Sequence, residues 1–302
     1  MKTKSKQTYT RRKRRDTRDG YLFLLPAIIT FVTFIGIPML MAFGLIFMDY
    51  NLIQPPKWVG LNNFRRLAMD PQFVRTLGNT VRYFLYITPI HCVLALGLAY
   101  MVTRVKNSRL KGIYRGIIYF PTIVTTASMA MVWTMMFATD TGFINYFIRR
   151  LGGSNVPWMT DTTMIYVTIA IFSAWKFIGT TFLYYFVGLQ NVPGSYHEAA
   201  RIDGASNFQV FFKITLPLLS PTIFFVIVTN MIGVFQIFEE PMFIATNNPN
   251  ATSLALYIYD VAFNAIRIGY GSLLAIIMFL CILVITAIQF IGQRKWVNYD
   301  YE

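Results

Sequence analysis

The sequence predicts an all-α membrane protein with six transmembrane helices, and three observations carry that prediction. Of the 302 residues, 55% are hydrophobic and only 13% are charged, against about 25% charged in soluble domains. That leaves too little polar side chain to coat a water-facing globule. Six stretches, near 21–47, 79–102, 114–138, 163–187, 219–243 and 270–292, are long and apolar. Each meets the length of about 20 residues that crossing the hydrocarbon core demands. Finally, Lys and Arg concentrate in alternate connecting segments. Together these exclude a disordered chain, a secreted disulfide scaffold and a nucleic-acid-binding domain with a long basic face.

The first 19 residues hold nine Lys/Arg against Asp16 and Asp19. An apolar segment begins directly after them, near Gly20, so the run reads as a basic cytoplasmic tail drawn to anionic lipid rather than as a nucleic-acid arm. It is not a cleavable signal peptide, because the apolar segment far exceeds the roughly 7–15 residues of a signal h-region. Pro26, Pro38, Pro89 and Pro121 fall inside or at the ends of spans, where neighbouring helices satisfy the freed carbonyls. With the N-terminus inside, the cytoplasmic segments carry 18 Lys/Arg and the opposite side carries 7, namely Lys57, Arg65, Arg66, Arg75, Arg149, Arg150 and Arg267. The asymmetry places both termini and residues 189–217 in the cytoplasm and 244–268 outside. Cys92 and Cys281 sit in apolar stretches, and His91 and His197 are the only histidines. No Cys or His spacing suits a disulfide or a metal, and Cys92 beside His91 reads as a buried hydrophobe.

Residues 189–217, LQNVPGSYHEAARIDGASNFQVFFKITLP, are too polar to span and too patterned for a slack linker. Ser195 to Glu198 has the S-x-x-E form of a capping box, and Ser206 to Gln209 the S-x-x-Q form of a second. Gly204 lies between them, where a helix end favours a left-handed residue, and Pro217 marks the break into the fifth span. The expectation is a helix, a sharp turn and a second helix on the cytoplasmic face, with Ala199, Ala200 and Ala205 allowing close approach. From the residues alone, an ordinary amphipathic surface helix with Glu198 as its own cap and a docking element fit equally.

The stretch Glu198-Ala199-Ala200-Arg201-Ile202-Asp203-Gly204-Ala205, followed by Ile214-Thr215-Leu216-Pro217, resembles the EAA loop of ABC importer permeases, in the form of the carbohydrate-uptake branch. FLLPA at 23–27, VGLNNF at 59–64, NTVRY at 79–83, FPTIV at 120–124, AWKFIG at 174–179 and GLQNVP at 188–193 extend the likeness from residue 20 to about 294. The order is similar to the maltose-permease-F-like member of the paired permeases. The resemblance implies a type I importer permease fold in a bacterial cell membrane. A six-helix domain over 20–294 would lie between tails at 1–19 and 295–302, with a coupling loop over 193–217. In that loop Glu198, Ala199, Ala200, Asp203, Gly204, Ala205, Leu216 and Pro217 would engage a cytoplasmic ATPase. The implied partners are a second homologous permease, two ATPase subunits, an extracellular solute-binding protein and a carbohydrate. The chain has no G-x-x-x-x-G-K-[ST] phosphate loop, which a nucleotide site of that kind requires. It would therefore bind no cofactor and catalyse no reaction; ATP and Mg would belong to the partner ATPase. Asn247-Asn248-Pro249-Asn250, and Glu239-Glu240-Pro241, depart from the family pattern toward the external end. The large external insertion of the maltose-type archetype is absent.

Polar side chains within a span mark a pathway or a partner. Ser173, Lys176, Phe177 and Thr180 share one helical face at i, i+3, i+4 and i+7, and Asn230, Gly233, Val234 and Ile237 repeat the spacing with Gln236 nearby. These stripes match the family's substrate-contacting positions, and Phe172, Trp175, Tyr184 and Phe235 offer stacking surfaces. The competing assignment is helix–helix packing, with Lys176 snorkelling or paired to Glu239 or Glu240. Within the importer class an oligosaccharide or polysaccharide fragment comes first, with glycerol phosphate or a polyol as the alternative. Outside it stands an ion-coupled secondary transporter, for which the spans lack a clear midplane carboxylate.

Overall fold

The computed structural model describes residues 2–246 and 248–298, with side chains from Thr17 onward. In chain order its helices are α1 (Lys2–Phe31), α2 (Ile37–Leu45), α3 (Asn62–Ala68), α4 (Pro71–Thr103), α5 (Ser108–Ile123), α6 (Thr126–Met136), α7 (Phe143–Arg150) and α8 (Met164–Gln190). There follow α9 (Gly194–Ile202), α10 (Asn207–Val210), α11 (Leu216–Leu218), α12 (Ser220–Phe235), α13 (Glu239–Ile244), α14 (Leu254–Tyr259) and α15 (Ile268–Gly292). Four continuous helices are long and apolar enough to cross a bilayer: Thr17–Leu45, Pro71–Thr103, Met164–Gln190 and Ile268–Lys295. Two further spans are bent pairs, Ser108–Ile123 with Thr126–Met136 at 92° and Asn207–Leu218 with Ser220–Phe235 at 65°. Counting each pair once gives six among the described residues.

The chain divides into two compact units. One holds residues up to Ala68 together with Val261–Ile276. Here α1 and α2 are joined by one wide π turn over Val32–Gly36, one turn before Pro38, whose missing N–H and ring bulk cannot serve the Phe34 carbonyl. A short antiparallel hairpin pairs Met48 with Trp58 and Asp49 with Lys57. Buried Asn63 donates to the carbonyls of Ile46 and Met48 at 2.9 and 3.0 Å. Gly269 opens α15 against the Met48 carbonyl, where any Cβ would collide. The basic run expected as a tail over 1–19 continues the backbone helix of α1; its side chains up to Asp16 lie outside the described residues, as do residues 299–302 of the expected C-terminal tail.

The other unit, Met69–Asp260 and the chain from Ile277, is built around α8, which packs on α4, α5 and α12. Asp70 caps α4 by accepting from the N–H groups of Gln72 and Phe73, with Pro71 in the first turn, where its absent N–H costs nothing. Two spans are broken, the fifth where Pro217 marks the entry to the span and the third inside the run expected over 114–138. The third breaks at Val124–Thr125, because Pro121 weakens the last turn of α5 and Val124 turns extended at ψ 145°. The fifth bends at Leu219, between Pro217 and Pro221, which remove two successive opportunities for backbone donation. It also ends at Phe235 rather than near 243, and Glu239, Glu240 and Pro241 form the separate short helix α13. Most of α8 is buried, whereas α15 and Thr17–Leu45 present almost all their apolar surface outward, the arrangement lipid allows and water does not.

Candidate functional site

A cavity of about 320 Å³ opens among α4, α8, α12 and α13. Ile87 and His91 line it from α4, Ser173, Phe177, Thr180, Thr181 and Tyr184 from α8, and Thr229, Asn230, Gly233, Val234, Ile237 and Glu240 from the α12–α13 segment. The two stripes read from the sequence therefore face one space, and Gly233, with nothing within 4 Å of a hypothetical Cβ, leaves room in it. One hydrogen-bonded chain ties the three long helices together there. The Asn230 amide nitrogen donates to the Val226 carbonyl at 2.9 Å and to Thr181 Oγ1 at 3.4 Å. Its oxygen then accepts from His91 Nδ1 at 3.0 Å. That leaves His91 Nε2 as the acceptor for the Ser173 hydroxyl at 3.3 Å, an arrangement set by the donor and acceptor inventory.

Two stripe residues go elsewhere. Lys176 is buried and does not line the cavity; its ammonium donates to the Val124 carbonyl at the broken end of α5 and lies 4.9 Å from the Phe177 ring centre. A cation suits the free carbonyls of a helix C-terminus, so the lysine stabilises the break, with the carboxylates of Glu239 and Glu240 near enough to act on its charge. The contact is reinforced by Thr122 Oγ1, which donates to the Lys176 carbonyl at 2.9 Å. Gly179 completes it, since a Cβ there would meet the Ile118 carbonyl and Tyr119 Cα at 2.8 Å. Gln236 is exposed and ends α12 through its backbone N–H, again outside the cavity lining. Of the aromatic candidates only Tyr184 reaches the cavity; Phe172 and Phe235 are core residues, and Trp175 packs on Trp133. Sequence reasoning passed over His91, Thr181, Thr229 and Glu240 as lining residues. An imidazole in the middle of a span was a usable signal for the first.

The segment after α13 is held down firmly. Asn248 donates to the Met159 carbonyl at 3.0 Å, Asn79 to that of Thr252 at 3.0 Å and Tyr83 to that of Ala251 at 2.7 Å. Tyr166 donates to Asn79 Oδ1 at 2.8 Å. The Asn248-Pro249-Asn250 departure thus forms a turn bonded to α4 and to the start of α8, while Asn247 lies outside the described residues.

In the 189–217 loop, α9 ends in a Schellman motif. The Ala205 N–H donates to the Ala200 carbonyl at 2.9 Å and that of Gly204 to Arg201 at 3.1 Å, with Gly204 at φ +79°. A left-handed residue is what this closure needs. The second capping box forms in full: Ser206 Oγ accepts from the Gln209 N–H and Gln209 Oε1 from the Ser206 N–H. The first does not. Helix α9 starts at Gly194 with Pro193 as its cap residue, because proline presets the entering backbone and leaves Ser195 already inside the first turn. Glu198 is consequently free of capping duty and exposed, as are Ala199, Asp203 and Gly204, while Ala200 is buried. Leu216 and Pro217 sit half-buried at the bend. His197 Nε2 donates to Thr215 Oγ1 at 3.0 Å, whose own proton goes to the Val210 carbonyl. Burial, followed by the charges of Arg201 and Arg104, holds the His197 imidazole below its ordinary pKa of 6.5.

Within the larger unit, bent and straight helices around a polar cavity, together with an exposed helix–turn–helix, have the build of a solute permease. Residues 93–297 match the model of the binding-protein-dependent transport system inner membrane component, and the chain belongs to that family. It is 36% identical to the probable ABC transporter permease protein YesP of Bacillus subtilis (strain 168), over 95% of this chain and 94% of that one. The lactose transport system permease protein LacF of Rhizobium radiobacter is 32% identical over 92% and 94%. The trehalose/maltose transport system permease protein MalF of Thermococcus litoralis is 30% identical over 91% and 94%. A chain of a bacterial ABC transporter involved in import of the acidic polysaccharide alginate superposes with a TM-score of 0.78 at 24% identity, covering 95% of this chain and all of the other. The protein is thus a membrane-embedded ABC importer permease subunit and not itself an enzyme.

Proposed function

We propose that this chain carries a carbohydrate, an oligosaccharide or polysaccharide fragment, across the bacterial cell membrane by alternating access. The observation that carries this reading is the cavity, where hydroxyl, amide and imidazole groups of Ser173, Thr180, Thr181, Thr229, Asn230 and His91 stand beside the rings of Phe177 and Tyr184. Hydrogen-bonding groups against an aromatic wall suit a polyhydroxylated ring. The named lactose and trehalose/maltose systems among its relatives support the same class.

In this reading both termini are cytoplasmic and residues 193–217 are the coupling loop. Glu198, Ala199, Ala200, Asp203, Gly204, Ala205, Leu216 and Pro217 then form its working face toward one of two ATPase subunits that hold ATP and Mg. A second homologous permease completes the pathway, and an extracellular binding protein delivers the sugar. Co-purification of the tagged chain from its native membrane, with partners identified by mass, tests the assembly. An ATPase, a second six-span permease and a solute-binding protein are expected. Recovery of the chain with copies of itself only, under mild extraction, overturns it. Sugar-stimulated ATP hydrolysis in the recovered complex then identifies the solute.

A further inference from the structure

The helix α7 lies in the connection between α6 and α8 and turns the wrong face outward for a water-exposed element. Its inward side carries Asn145, which is fully buried and fixes the helix through four bonds: it donates to the carbonyls of Thr139 and Val156 at 2.8 and 2.9 Å and accepts from the Val156 N–H and Trp158 Nε1 at 3.1 and 3.0 Å. The outward side, at i, i+3, i+4 and i+7, is Phe143, Tyr146, Phe147 and Arg150, followed by the cap residue Leu151, with Phe143 59% and Leu151 88% exposed. A polar helix that happens to show one hydrophobe is ordinary; a rigidly anchored helix that turns three rings outward over its first turns and ends that face in arginine is built for a non-aqueous neighbour with a charged edge.

The charges at its end specify that neighbour. Arg149 and Arg150 close the helix and no acid lies on it. The Arg150 guanidinium folds over the Tyr146 ring at 5.4 Å and donates to its hydroxyl at 3.2 Å. Arg149 is held by Asn155 Oδ1 at 2.7 Å and the Asp140 carbonyl at 3.3 Å. Rings flanked by cations, at the ends of two spans, reproduce the composition of a membrane–water interface: apolar bodies among acyl chains, amphipathic Tyr and Arg at phosphate level.

We propose that α7 is an interfacial helix lying in the lipid headgroup region, with Phe143, Phe147 and Leu151 among the acyl chains and Arg149 and Arg150 at the phosphates. It follows from this helix alone; only the choice of outer leaflet rests on the orientation proposed above. The arrangement makes the lipid surface a restraint on the connection between the third and fourth spans.

The test is photocrosslinking from p-benzoylphenylalanine in place of Phe147, where the half-exposed ring leaves room for the added benzoyl group, in the full importer complex reconstituted into nanodiscs of phosphatidylethanolamine and phosphatidylglycerol. Intact-mass measurement of the permease should show the addition of one phospholipid, with the same result from position 143 and a lower yield from the half-buried position 144. An adduct with the binding protein or another subunit, or no lipid adduct from either outward position, overturns the proposal. Because sugar-stimulated ATP hydrolysis is measured on the same sample, loss of the transport reading and loss of the lipid contact are separately visible.

Discussion

The cavity and the 189–217 loop are both built from polar residues on helices of the same unit, yet they are finished differently. Around the cavity, each member of the His91–Asn230–Ser173–Thr181 chain finds its partner inside the protein. In the loop, the backbone closure, the Ser206–Gln209 box and the His197–Thr215 bond are internal, whereas Glu198 and Asp203 face outward, and Ile202 and Phe208 are 86% and 71% exposed. The first region closes its hydrogen bonds within this chain. The second is preshaped by its internal bonds but leaves Glu198 and Asp203 exposed, so those two side chains contribute little to the fold of this chain. Changes in the loop should therefore damage coupling while sparing the fold, and changes at the cavity wall should damage solute handling or packing.

The largest effect is expected from Gly204→Val. A β-branched residue at φ +79° costs about 1–2 kcal/mol in backbone strain and undoes the turn between α9 and α10. Uptake should fall at least about tenfold, which corresponds to 1.4 kcal/mol, while the membrane-span helicity in circular dichroism stays unchanged. Glu198→Ala should do the same with ATP hydrolysis persisting in the absence of transport. Retained sugar-coupled uptake in both variants would remove the loop from the mechanism.

Next comes Gly179→Leu. The side chain has no room against the Ile118 carbonyl and Tyr119 Cα, and overpacking of this kind costs about 1–3 kcal/mol. The expected result is a lowered melting temperature in detergent, with Gly179→Ala intermediate.

At the cavity, Asn230→Ala leaves His91 Nδ1 and Thr181 without their partner, a loss of about 1–3 kcal/mol for groups left unpaired. The apparent KM for the sugar should rise several-fold with expression unchanged. Lys176→Met sharpens the contrast: its partner is the Val124 carbonyl, so thermal stability should shift while KM stays at the wild-type value. A KM change without a stability change would return Lys176 to the pathway.

The smallest effect concerns pH. His197 has a folded pKa below its ordinary 6.5, so the unfolded loop binds the proton more readily than the folded one. Stability is therefore flat above pH 6.5 and declines as pH falls through 6.5 toward the folded value. Amide hydrogen exchange in α9 should quicken on mild acidification, and His197→Gln should flatten that dependence.

Local signals were legible in the sequence to the extent that local physics decides the structure. Gly204, Ser206 and Gln209 were placed correctly because a left-handed turn and a capping box depend on residues within a few positions of each other. The capping role expected of Ser195 failed for an equally local reason, since Pro193 sets the helix start two residues earlier. Span breaks were harder. Pro121 announced a weak point, but a 92° bend also needs Lys176 and Gly179 on another helix to hold it open.

What the sequence by itself determined is the solvent and the segmentation. Hydrophobic runs of spanning length, the Lys/Arg asymmetry and the patterned 189–217 loop follow from transfer free energy and short-range backbone geometry, which act on each segment independently. Only the tertiary structure decided which polar side chains meet. Helical periodicity put Lys176 and Ser173 on one face, but a stripe has width, and the end of α5 drew the lysine away while His91 of α4 filled its place beside Asn230. The aromatic face of α7 is of the same kind: its pattern is amphipathic from either side, and the burial of Asn145 determines which side is left for the membrane.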